Sequence, residues 1–416
     1  MKILMVNKFF YIKGGSETYY FSLKKLLEQN GHEVIDFSMK DEKNFESKYA
    51  DFFVDGVDYN KKQSIFSKIK VGMKIIYSLE AKKKLEKLIK ETKPDIAHLH
   101  IFQHQLSLSI LDVLKKYNIP IVYTAHDLKM ICPNYKMLTN GQVCEKCKGE
   151  KYYNCLKNKC IKDSTVKSAI GMIEAYVNKW RKAYDKIDYI ITPSKFYKDK
   201  FIEFGIEANK VTHIPNFLTE EYIEYDELEE QDYYLYFGRL SEEKGIMTLI
   251  KAVQEANVKL KIVGTGPLKE DIEKFVSENK LSNIEILGFK SGKELYTIVA
   301  NSKCVVLPSE WYENGPYSAI EALKLGRLII GSDLGGIPEM IDEGENGYIF
   351  KNANVLNLKN IINQVEYLDL SQQKNMSQKS KEKFKFVYTE KKHLELLLDI
   401  YNNVLLRKKQ INAKKL

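Results

Sequence analysis

Two glutamates in the last third of the chain stand where a ligand with phosphate and hydroxyl groups could bind. They are Glu313 and Glu321, within the segment Leu-Pro-Ser-Glu-Trp-Tyr-Glu-Asn-Gly-Pro-Tyr-Ser-Ala-Ile-Glu-Ala of residues 307–322. On one continuous helix their carboxylates would lie about 12 Å apart along the axis and off a common face. With Glu313 on a loop and Glu321 inside the following helix, the pair could hold two ends of one elongated ligand.

The surrounding residues predict a strand, a loop and a helix start. The apolar run 304–307 predicts a short buried strand, which Pro308 ends. Gly315 and Pro316 mark a helix start, because proline at the first helical position lacks only an amide hydrogen that would be unpaired anyway. Free amides and the helix dipole at such an N-terminus attract anions. We therefore expect phosphates to bind there; two solvated glutamates are the alternative for an isolated pair.

Other candidate groups follow strands of the second half. Arg239 and Lys244 come after the predicted strand 233–237 and before a helix from about residue 245. Glycine-containing loops follow at 264–267 and 335–339. Ligands of doubly wound sheets bind beyond the carboxyl ends of the strands, so these groups should meet at one edge. Each is weak evidence alone, because single surface basic residues are common.

The first half begins with a strand, a glycine turn and a helix. Gly14, Gly15 and Glu17 lie between the predicted strand 2–7 and a helix that Gly31 closes. This is a βαβ start, but it lacks the third spaced glycine of the dinucleotide fingerprint, so NAD is not expected. Paired glycines let the backbone approach a substrate closely. A plain tight turn is the alternative.

Three histidines lie at predicted strand ends in the first half. His98 and His100 belong to the strand 94–100, and His126 ends the strand 119–127. Strands are also predicted at 188–194 and 211–216, the second of which ends on Asn216. A hydrogen-bonded structural role is the alternative for any single histidine.

These features together resemble the retaining glycosyltransferases of family 4, also called group 1. The resemblance is carried by the Glu-x7-Glu spacing of Glu313 and Glu321, by Thr-Ala-His-Asp at 124–127, and by the order of Arg239, Lys244 and the glycine loops. It implies the α/β GT-B fold, in which two Rossmann-like, doubly wound domains face each other across a cleft. A nucleotide-sugar donor then binds mainly to the C-terminal domain.

The resemblance also implies a mechanism. Glu313 would bind hydroxyls of the donor sugar, Glu321 would bind the ribose, and His126 would reach the sugar from the opposite domain. Retention follows from the family alone, in which the acceptor approaches the leaving-group face and a phosphate oxygen takes its proton. The candidate catalytic residues are Glu313, His126, Arg239 and Lys244. The candidate substrate-binding residues are Gly14, Gly15, Glu17, Asn216, Gly238, Gly264, Gly266, Asn314, Gly315, Pro316, Tyr317, Ser318 and Glu321.

The chemistry of sugar transfer suits the same residues. Cleavage of a sugar–phosphate bond builds negative charge on the leaving diphosphate, which fixed cations and amides stabilise. Arg239, Lys244 and the predicted helix start supply them. No Asp-x-Asp motif stands at a strand end, so we expect transfer without a metal ion.

Five of the six cysteines lie between residues 132 and 160. The spacing Cys-x2-Cys-x7-Cys-x4-Cys of Cys144, Cys147, Cys155 and Cys160 favours a structural zinc site, with Cys132 as the alternate ligand. Free or redox-active thiols, or another metal cluster, are the alternatives. The general family pattern lacks this insert, which resembles a subset associated with surface-polysaccharide clusters.

Composition and charge indicate a cytoplasmic protein. The chain has 416 residues, 44% hydrophobic and 29% charged, with a net charge of +9. No apolar run approaches the ~20 residues needed to span a bilayer, and the apolar N-terminus is too brief for a signal peptide. Residues 61–93 hold eleven Lys against three Glu with helical apolar spacing, so we expect peripheral contact with the anionic inner face of the plasma membrane.

The order of predicted elements divides the chain. We expect an N-terminal, acceptor-side domain at 1–218 with the cysteine-rich insert 132–160, and an acidic linker at 219–232. A C-terminal donor-binding domain at 233–388 follows. The last segment, 389–416, is predicted to be a helix over 389–406 followed by a basic tail, and to pack back on the N-terminal domain.

The predicted activity is a metal-independent transfer of a sugar from a nucleotide-diphosphate sugar to a glycan or lipid-linked acceptor in cell-surface polysaccharide biosynthesis. Alternatives are a binder of nucleotide-sugar or glycan without catalysis, and a sugar-nucleotide epimerase on the same fold. The intact Arg, Lys and Glu set disfavours the first, and the Glu-x7-Glu spacing disfavours the second. A thiol-zinc module for nucleic acid is disfavoured, because few aromatic residues are interleaved with the basic residues near the cysteines.

Overall fold

A computed structural model describes residues 1–56, 74–220, 223–226 and 232–413. Its frame is a pair of six-stranded parallel sheets, one in each half of the chain. The first sheet has the order β2-β1-β3-β4-β7-β8 and the second β11-β10-β9-β12-β13-β14. The first sheet consists of β1 (Lys2–Val6), β2 (Glu33–Phe37), β3 (Ile96–Leu99), β4 (Ile121–Thr124), β7 (Tyr189–Thr192) and β8 (Val211–His213). The second consists of β9 (Tyr234–Phe237), β10 (Leu260–Val263), β11 (Ile284–Gly288), β12 (Cys304–Leu307), β13 (Leu328–Ser332) and β14 (Gly347–Phe350).

Helices connect and cover these strands, and a small hairpin lies in the cysteine-rich insert. The hairpin consists of β5 (Leu138–Thr139) and β6 (Gln142–Val143). Among the described residues of the N-terminal half, the α-helices are α1 (Gly15–Gln29), α2 (Leu79–Thr92), α3 (Ser109–Lys116), α4 (Tyr153–Lys157), α5 (Thr165–Trp180) and α6 (Lys195–Glu203). Those of the C-terminal half are α7 (Ile246–Ala256), α8 (Lys269–Glu278), α9 (Gly292–Ala300), α10 (Tyr317–Lys324), α11 (Val355–Glu366), α12 (Leu370–Val387) and α13 (Glu390–Ala413).

Burial explains why the strands form near-continuous apolar runs. Every residue of β3, β4, β9 and β12 is buried, as expected for parallel strands covered by helices on both faces. The second sheet has the doubly wound order 3-2-1-4-5-6, with its switch point between β9 and β12. The predicted pair of doubly wound α/β domains is confirmed.

Two helix boundaries differ from the sequence-based expectation. The sequence predicts Pro316 at the first helical position, but this residue is the N-cap of α10, with an extended backbone at φ −65° and ψ 136°. Its neighbour Tyr317 begins the helix, which shifts the free amides by one residue. The last helix is expected over 389–406 and instead runs from Glu390 to Ala413.

The last helix packs against the first domain. Leu397 and Tyr401 are fully buried in the N-terminal hydrophobic core. The Tyr401 hydroxyl lies 2.6 Å from Nδ1 of His98, and Nε2 of His393 lies 2.9 Å from the Tyr19 hydroxyl. The two ends of the chain therefore share one core.

The basic segment 61–93 is described only from residue 74 onward; its residues 61–73 lie outside the described chain. In the described part, α2 buries its apolar side chains Ala81, Leu85, Leu88 and Ile89 against the first domain. That face is therefore not available to a membrane. Among the described helices, none combines the length and the apolar character that crossing a membrane requires.

Candidate active site

A cleft forms where the carboxyl ends of the two sheets meet, and polar side chains join its walls. The Asn314 amide donates to the carbonyl of Ala125 at 2.8 Å, and its side-chain oxygen accepts from the Ser194 hydroxyl at 2.9 Å. The Asn216 amide donates to the carbonyl of Gly315 at 2.9 Å. Asn314 and Asn216, both predicted to bind substrate, thus connect the two domains.

A glutamate of the second domain also caps a helix of the first. The Glu339 carboxylate accepts from the backbone amides of Lys195 and Phe196, at 2.8 and 2.6 Å. These amides belong to the first turn of α6, where intrahelical partners are missing and negative charge is favourable. The contact holds the two walls at a defined separation.

Glu313 is bound through a single carboxylate oxygen by three side chains. The Lys244 ammonium lies 2.5 Å from Oε1, the Ser309 hydroxyl donates at 2.7 Å and the Trp311 indole at 2.8 Å. Glu313 is only 6% exposed. Residues expected to bind the sugar and the diphosphate separately are therefore in direct contact.

The charge of Glu313 is fixed by these partners. Burial alone would raise the pKa of its carboxyl, but the Lys244 ammonium and the hydrogen bonds from Trp311 and Ser309 outweigh burial and hold the pKa below its usual value. Glu313 is therefore ionised at neutral pH, and Lys244 carries the balancing charge beside the start of α10.

Glycines allow the loops after β9 and β10 to pack closely together. A Cβ atom on Gly264 would lie 1.8 Å from the carbonyl oxygen of Gly238, and one on Gly266 would lie 2.2 Å from that of Leu240. The loops after β9 and β10 pack backbone to backbone, so side chains are excluded at both positions. Arg239, which follows β9, is exposed. The pKa of Lys13 in the first domain is lowered by burial and, to a smaller extent, by the charge of Arg239.

Glu321 lies inside α10, one turn after its start. Burial raises the pKa of its carboxyl to about 7. Tyr317, Ser318 and Gly315 surround the same helix start and are half-buried. The Glu313 and Glu321 carboxylates are thus on the loop and in the helix, as the sequence predicted, and in opposite electrostatic situations.

The glycine turn of the first domain faces this helix start. A Cβ atom on Gly15 would lie 3.3 Å from the Tyr317 ring, so the turn approaches α10 across the cleft. Gly14 is the N-cap of α1. Glu17 is buried, which raises the pKa of its carboxyl, and it accepts from the Asn7 amide at 3.5 Å.

His126 stands at the end of β4 against another histidine. Its Nε2 lies 3.2 Å from Nδ1 of His100, and the Tyr19 ring packs edge-on against it. Burial lowers the pKa of His126 to about 3, so the ring is neutral at physiological pH. A neutral ring can accept or donate one hydrogen bond toward a sugar hydroxyl.

Several buried polar atoms of the cleft have no hydrogen-bond partner within the described residues. They are Oδ1 of Asn216, the hydroxyl of Tyr317 and the hydroxyl of Ser241. Buried polar atoms normally have partners, so these three are candidates to meet a ligand. Ser241 follows the loop after β9, and Tyr317 is the first residue of α10.

The cysteine-rich insert reaches the second domain beside Glu313. The Lys136 ammonium lies 3.0 Å from the Glu243 carboxylate and 5.7 Å from the centre of the Trp311 ring. Glu145, between Cys144 and Cys147 in sequence, accepts from the Tyr312 hydroxyl at 2.8 Å. The insert therefore contacts Trp311 and Tyr312, the two residues that precede Glu313 in the loop between β12 and α10.

All five cysteines of the insert line one small cavity. Within residues 1–56, 74–220, 223–226 and 232–413, however, no group of three or more His, Cys, Asp or Glu side chains is arranged to hold a metal ion. A hydrogen bond from Cys155 lowers the pKa of Cys160, and burial raises the pKa of Cys132 to about 11. The thiols converge as the spacing suggested, and zinc binding stays a prediction.

Some residues of the site were not assigned from the sequence. Ser309 and Trp311 bind Glu313, and Ser194 and Glu339 join the domains. Trp311 lies in the segment 307–322 and Glu339 in the glycine-containing loop 335–339. Their position in these two motifs is the signal that could have identified them from the sequence. Ser194 gave none, because its partner lies 120 residues away.

Comparison with known families decides what kind of protein this is. Residues 13–222, half of the chain, match Glycosyltransferase Family 4, and residues 219–383 match Glycosyl transferases group 1. The chain belongs to glycosyltransferase family 4. It is therefore a glycosyltransferase, and the predicted family and enzyme class are confirmed.

Relatives of this family 4 glycosyltransferase occur in bacteria and archaea. It is 26% identical over 367 residues to an uncharacterised 42.6 kDa protein in the cps region of Klebsiella pneumoniae, covering 82% of this chain and 87% of that protein. It is 31% identical over 172 residues to an uncharacterised glycosyltransferase of Methanocaldococcus jannaschii, covering 41% of this chain and 48% of that one. It is 30% identical over 182 residues to the lipopolysaccharide 1,2-N-acetylglucosaminetransferase of Salmonella typhimurium, covering 38% and 48%. Two of these three matches span about half of the relative.

Solved structures share the whole fold. Sucrose-phosphate synthase from Thermosynechococcus elongatus superposes with a TM-score of 0.69 at 16% identity, over 99% of this chain and 98% of that one. Anabaena HepE in complex with UDP gives a TM-score of 0.65 at 15% identity, over 97% and 100%. Such low identities show the GT-B fold alone.

Proposed function

We propose that this glycosyltransferase moves a sugar from a nucleoside-diphosphate sugar to a glycan or lipid-linked acceptor in cell-surface polysaccharide biosynthesis, with retention of configuration and without a catalytic metal ion. The observation that carries the proposal is the contact of Lys244 with Glu313 at the start of α10, inside the cleft between the two domains. A cation, a carboxylate and the free amides of a helix start suit the charged and hydroxylated groups of a sugar diphosphate, which supports the proposal.

The donor side supplies charge stabilisation. As the sugar–phosphate bond breaks, negative charge grows on the departing diphosphate, and Lys244, Arg239 and the amides of α10 stabilise it more than they stabilise the ground state. Glu313, ionised and held by Ser309 and Trp311, accepts from hydroxyls of the donor sugar. Glu321 accepts from the ribose. The UDP bound by HepE supports a nucleoside diphosphate as the leaving group.

The first domain supplies the acceptor side. His126 presents a neutral imidazole to the sugar from β4, and the Gly14–Gly15 turn brings backbone amides toward the phosphates across from Tyr317. The Klebsiella relative from the cps region and the Salmonella lipopolysaccharide transferase support an acceptor in polysaccharide or lipopolysaccharide assembly. If the acceptor is attached to a lipid, the enzyme transfers the sugar at the inner face of the membrane.

A panel of nucleoside-diphosphate sugars tests this proposal. We expect one donor to release its nucleoside diphosphate, with turnover unchanged in the presence of a chelator, and the product to keep the anomeric configuration of the donor by NMR. Binding of a donor without release of diphosphate, even with cell-envelope glycolipids added, would favour a non-catalytic binder. Interconversion of free sugar nucleotides would favour an epimerase, and an inverted product would refute retention.

A further inference from the structure

Helix α5 buries polar residues and exposes apolar ones, the reverse of the usual pattern of a surface helix. Its buried residues are Ser168, Gly171, Glu174 and Asn178. Its exposed residues include Val166 (67% exposed), Ile173 (46%), Tyr176 (39%) and Trp180 (85%). A surface helix normally buries its apolar stripe and exposes its polar one. The outward apolar face of α5 therefore needs an explanation other than packing of this chain.

Specific contacts fix the orientation of α5. The Lys129 ammonium lies 2.8 Å from the Glu174 carboxylate, and both side chains are almost fully buried. The Ser168 hydroxyl accepts from the amide of Ile161 at 3.0 Å. A Cβ atom on Gly171 would lie 2.5 Å from Ile161, so the glycine permits close approach. Rolling the helix to bury its apolar face would separate a buried ion pair, which is strongly unfavourable.

The exposed side chains form one continuous stripe. Val166, Ile173 and Trp180 are seven residues apart and so lie on one side of the helix. Tyr153 of α4, 52% exposed, extends the stripe, since its amide donates to the Tyr176 hydroxyl at 3.3 Å. Isolated exposed apolar residues are ordinary, whereas a contiguous stripe marks an interaction site.

Positive charge surrounds this stripe. Residues 151–182 hold eight Lys and Arg against two acids, a net charge of +6, and one of the acids is the buried Glu174. The exposed lysines are Lys151, Lys157, Lys159, Lys162, Lys167, Lys179 and Lys182. Lys179 also pairs with Glu150. Tryptophan and tyrosine among lysines are typical of segments that lie at a membrane–water interface.

We propose that the outward face of α5 docks on an anionic membrane surface. Val166, Ile173 and Trp180 enter the boundary between headgroups and acyl chains, and the surrounding lysines bind lipid phosphates. A second copy of this chain fits the same face poorly, because a two-fold pairing would bring two sets of these lysines together. The proposal concerns binding alone and holds whichever sugar is transferred.

Vesicle sedimentation tests the docking face. We expect wild-type protein to bind vesicles of phosphatidylglycerol and phosphatidylcholine, to bind phosphatidylcholine vesicles far less, and to dissociate in high salt. The variant Ile173→Ser/Trp180→Ser should bind about tenfold to a hundredfold more weakly. The matched control is Phe289→Ser/Tyr367→Ser, which removes two side chains that are 72% and 88% exposed on the other domain and should bind like wild type.

The contribution of the lysine charges and the insertion of Trp180 into the membrane are measured in separate experiments. Lys162→Gln/Lys167→Gln/Lys182→Gln should lose the preference for anionic vesicles. The chain has two tryptophans, so the Trp311→Phe variant leaves Trp180 as the single reporter. Its fluorescence should shift to the blue on vesicles and be quenched by brominated lipid.

Three results would overturn the proposal. They are wild-type vesicle binding by Ile173→Ser/Trp180→Ser, an unshifted Trp180 emission on vesicles, and a dimer by light scattering that this double variant abolishes. The last would assign the face to a second copy. Transfer to a soluble acceptor should be unchanged in the double variant, which keeps this test independent of the proposed activity.

Discussion

Replacing Lys244 by methionine removes a single charge from the candidate active site and keeps the length of the side chain. The ammonium lies 2.5 Å from a Glu313 oxygen and 5.4 Å from the centre of the Trp311 ring. Its side chain is 22% exposed, so solvent screens it only in part. In Lys244→Met the methionine can retain the contact with Trp311, and the loss isolates the effect of charge.

Two effects of known size follow. Loss of a cation that stabilises charge in the transition state costs about 3 kcal/mol, or a hundredfold or more in turnover. Removing one partner of a buried ion pair costs about 3–5 kcal/mol of folding stability. The first concerns the rate and the second the fold, so turnover and thermal unfolding must be measured on the same protein.

The pH dependence of thermal stability tests whether Glu313 is the group with which Lys244 pairs. Lys244 helps to hold the pKa of Glu313 below its unfolded value, so the stability that this carboxylate contributes is present above that unfolded value and is lost as the pH falls through the folded pKa. In Lys244→Met the pKa of Glu313 in the folded protein should rise. The difference in melting temperature between wild type and Lys244→Met should therefore close on acidification, because a protonated carboxyl no longer needs the ammonium.

Diphosphate release, calorimetry with the nucleoside diphosphate and thermal melts across pH make up the assay. Lys274→Ala is the control, since it removes an exposed lysine from an ion pair on α8 of the same domain. Surface pairs of this kind contribute little, so its turnover and melting temperature should match wild type. Wild-type turnover in Lys244→Met would refute the assigned role in catalysis, and a stability gap that is constant with pH would refute the coupling to Glu313.

The remaining predictions concern the other site residues. Glu321→Gln should bind nucleoside diphosphate more weakly by calorimetry. Because burial raises the pKa of Glu321 in the folded protein to about 7, wild type should lose stability relative to this variant as the pH rises from about 4.3 to above 7. Equal melting temperatures of the two proteins across this pH range would contradict the expectation. Glu313→Ala and His126→Ala should both lower turnover more than affinity for free nucleoside diphosphate, and a loss confined to affinity would reassign them. Elemental analysis of protein purified without chelator should find one zinc per chain, with Cys144 and Cys147 among its ligands; folded, metal-free protein with titratable thiols would exclude it.

Local patterns were enough to predict which side chains of the C-terminal domain lie at the edge of its sheet. Strand ends are encoded by short apolar runs and the breakers that follow them, so the amino-acid sequence alone places Arg239, Lys244 and Glu313 at one sheet edge. Pro316 was misplaced by one position, because its fixed φ suits both an N-cap and a first helical residue and only the following contacts choose between them.

Contacts between distant segments could not be predicted in this way. Asn314 is a polar loop residue of the kind that often binds a ligand. In the structure, however, both polar atoms of its side chain bind the opposite domain. The apolar positions of α5 would be assigned to a core by periodicity. Their exposure depends on Glu174 meeting Lys129, 45 residues earlier in the chain.

The position of the last helix imposes an order of events during translation. The core of the N-terminal domain includes Leu397, Tyr401 and Val404, so that core cannot be completed until the ribosome has synthesised the C-terminal domain and α13. An interrupted chain that lacks α13 would leave His98 without its tyrosine partner and Tyr19 of α1 without its histidine partner. We expect cellular proteases to remove such fragments, so that only chains carrying both domains persist.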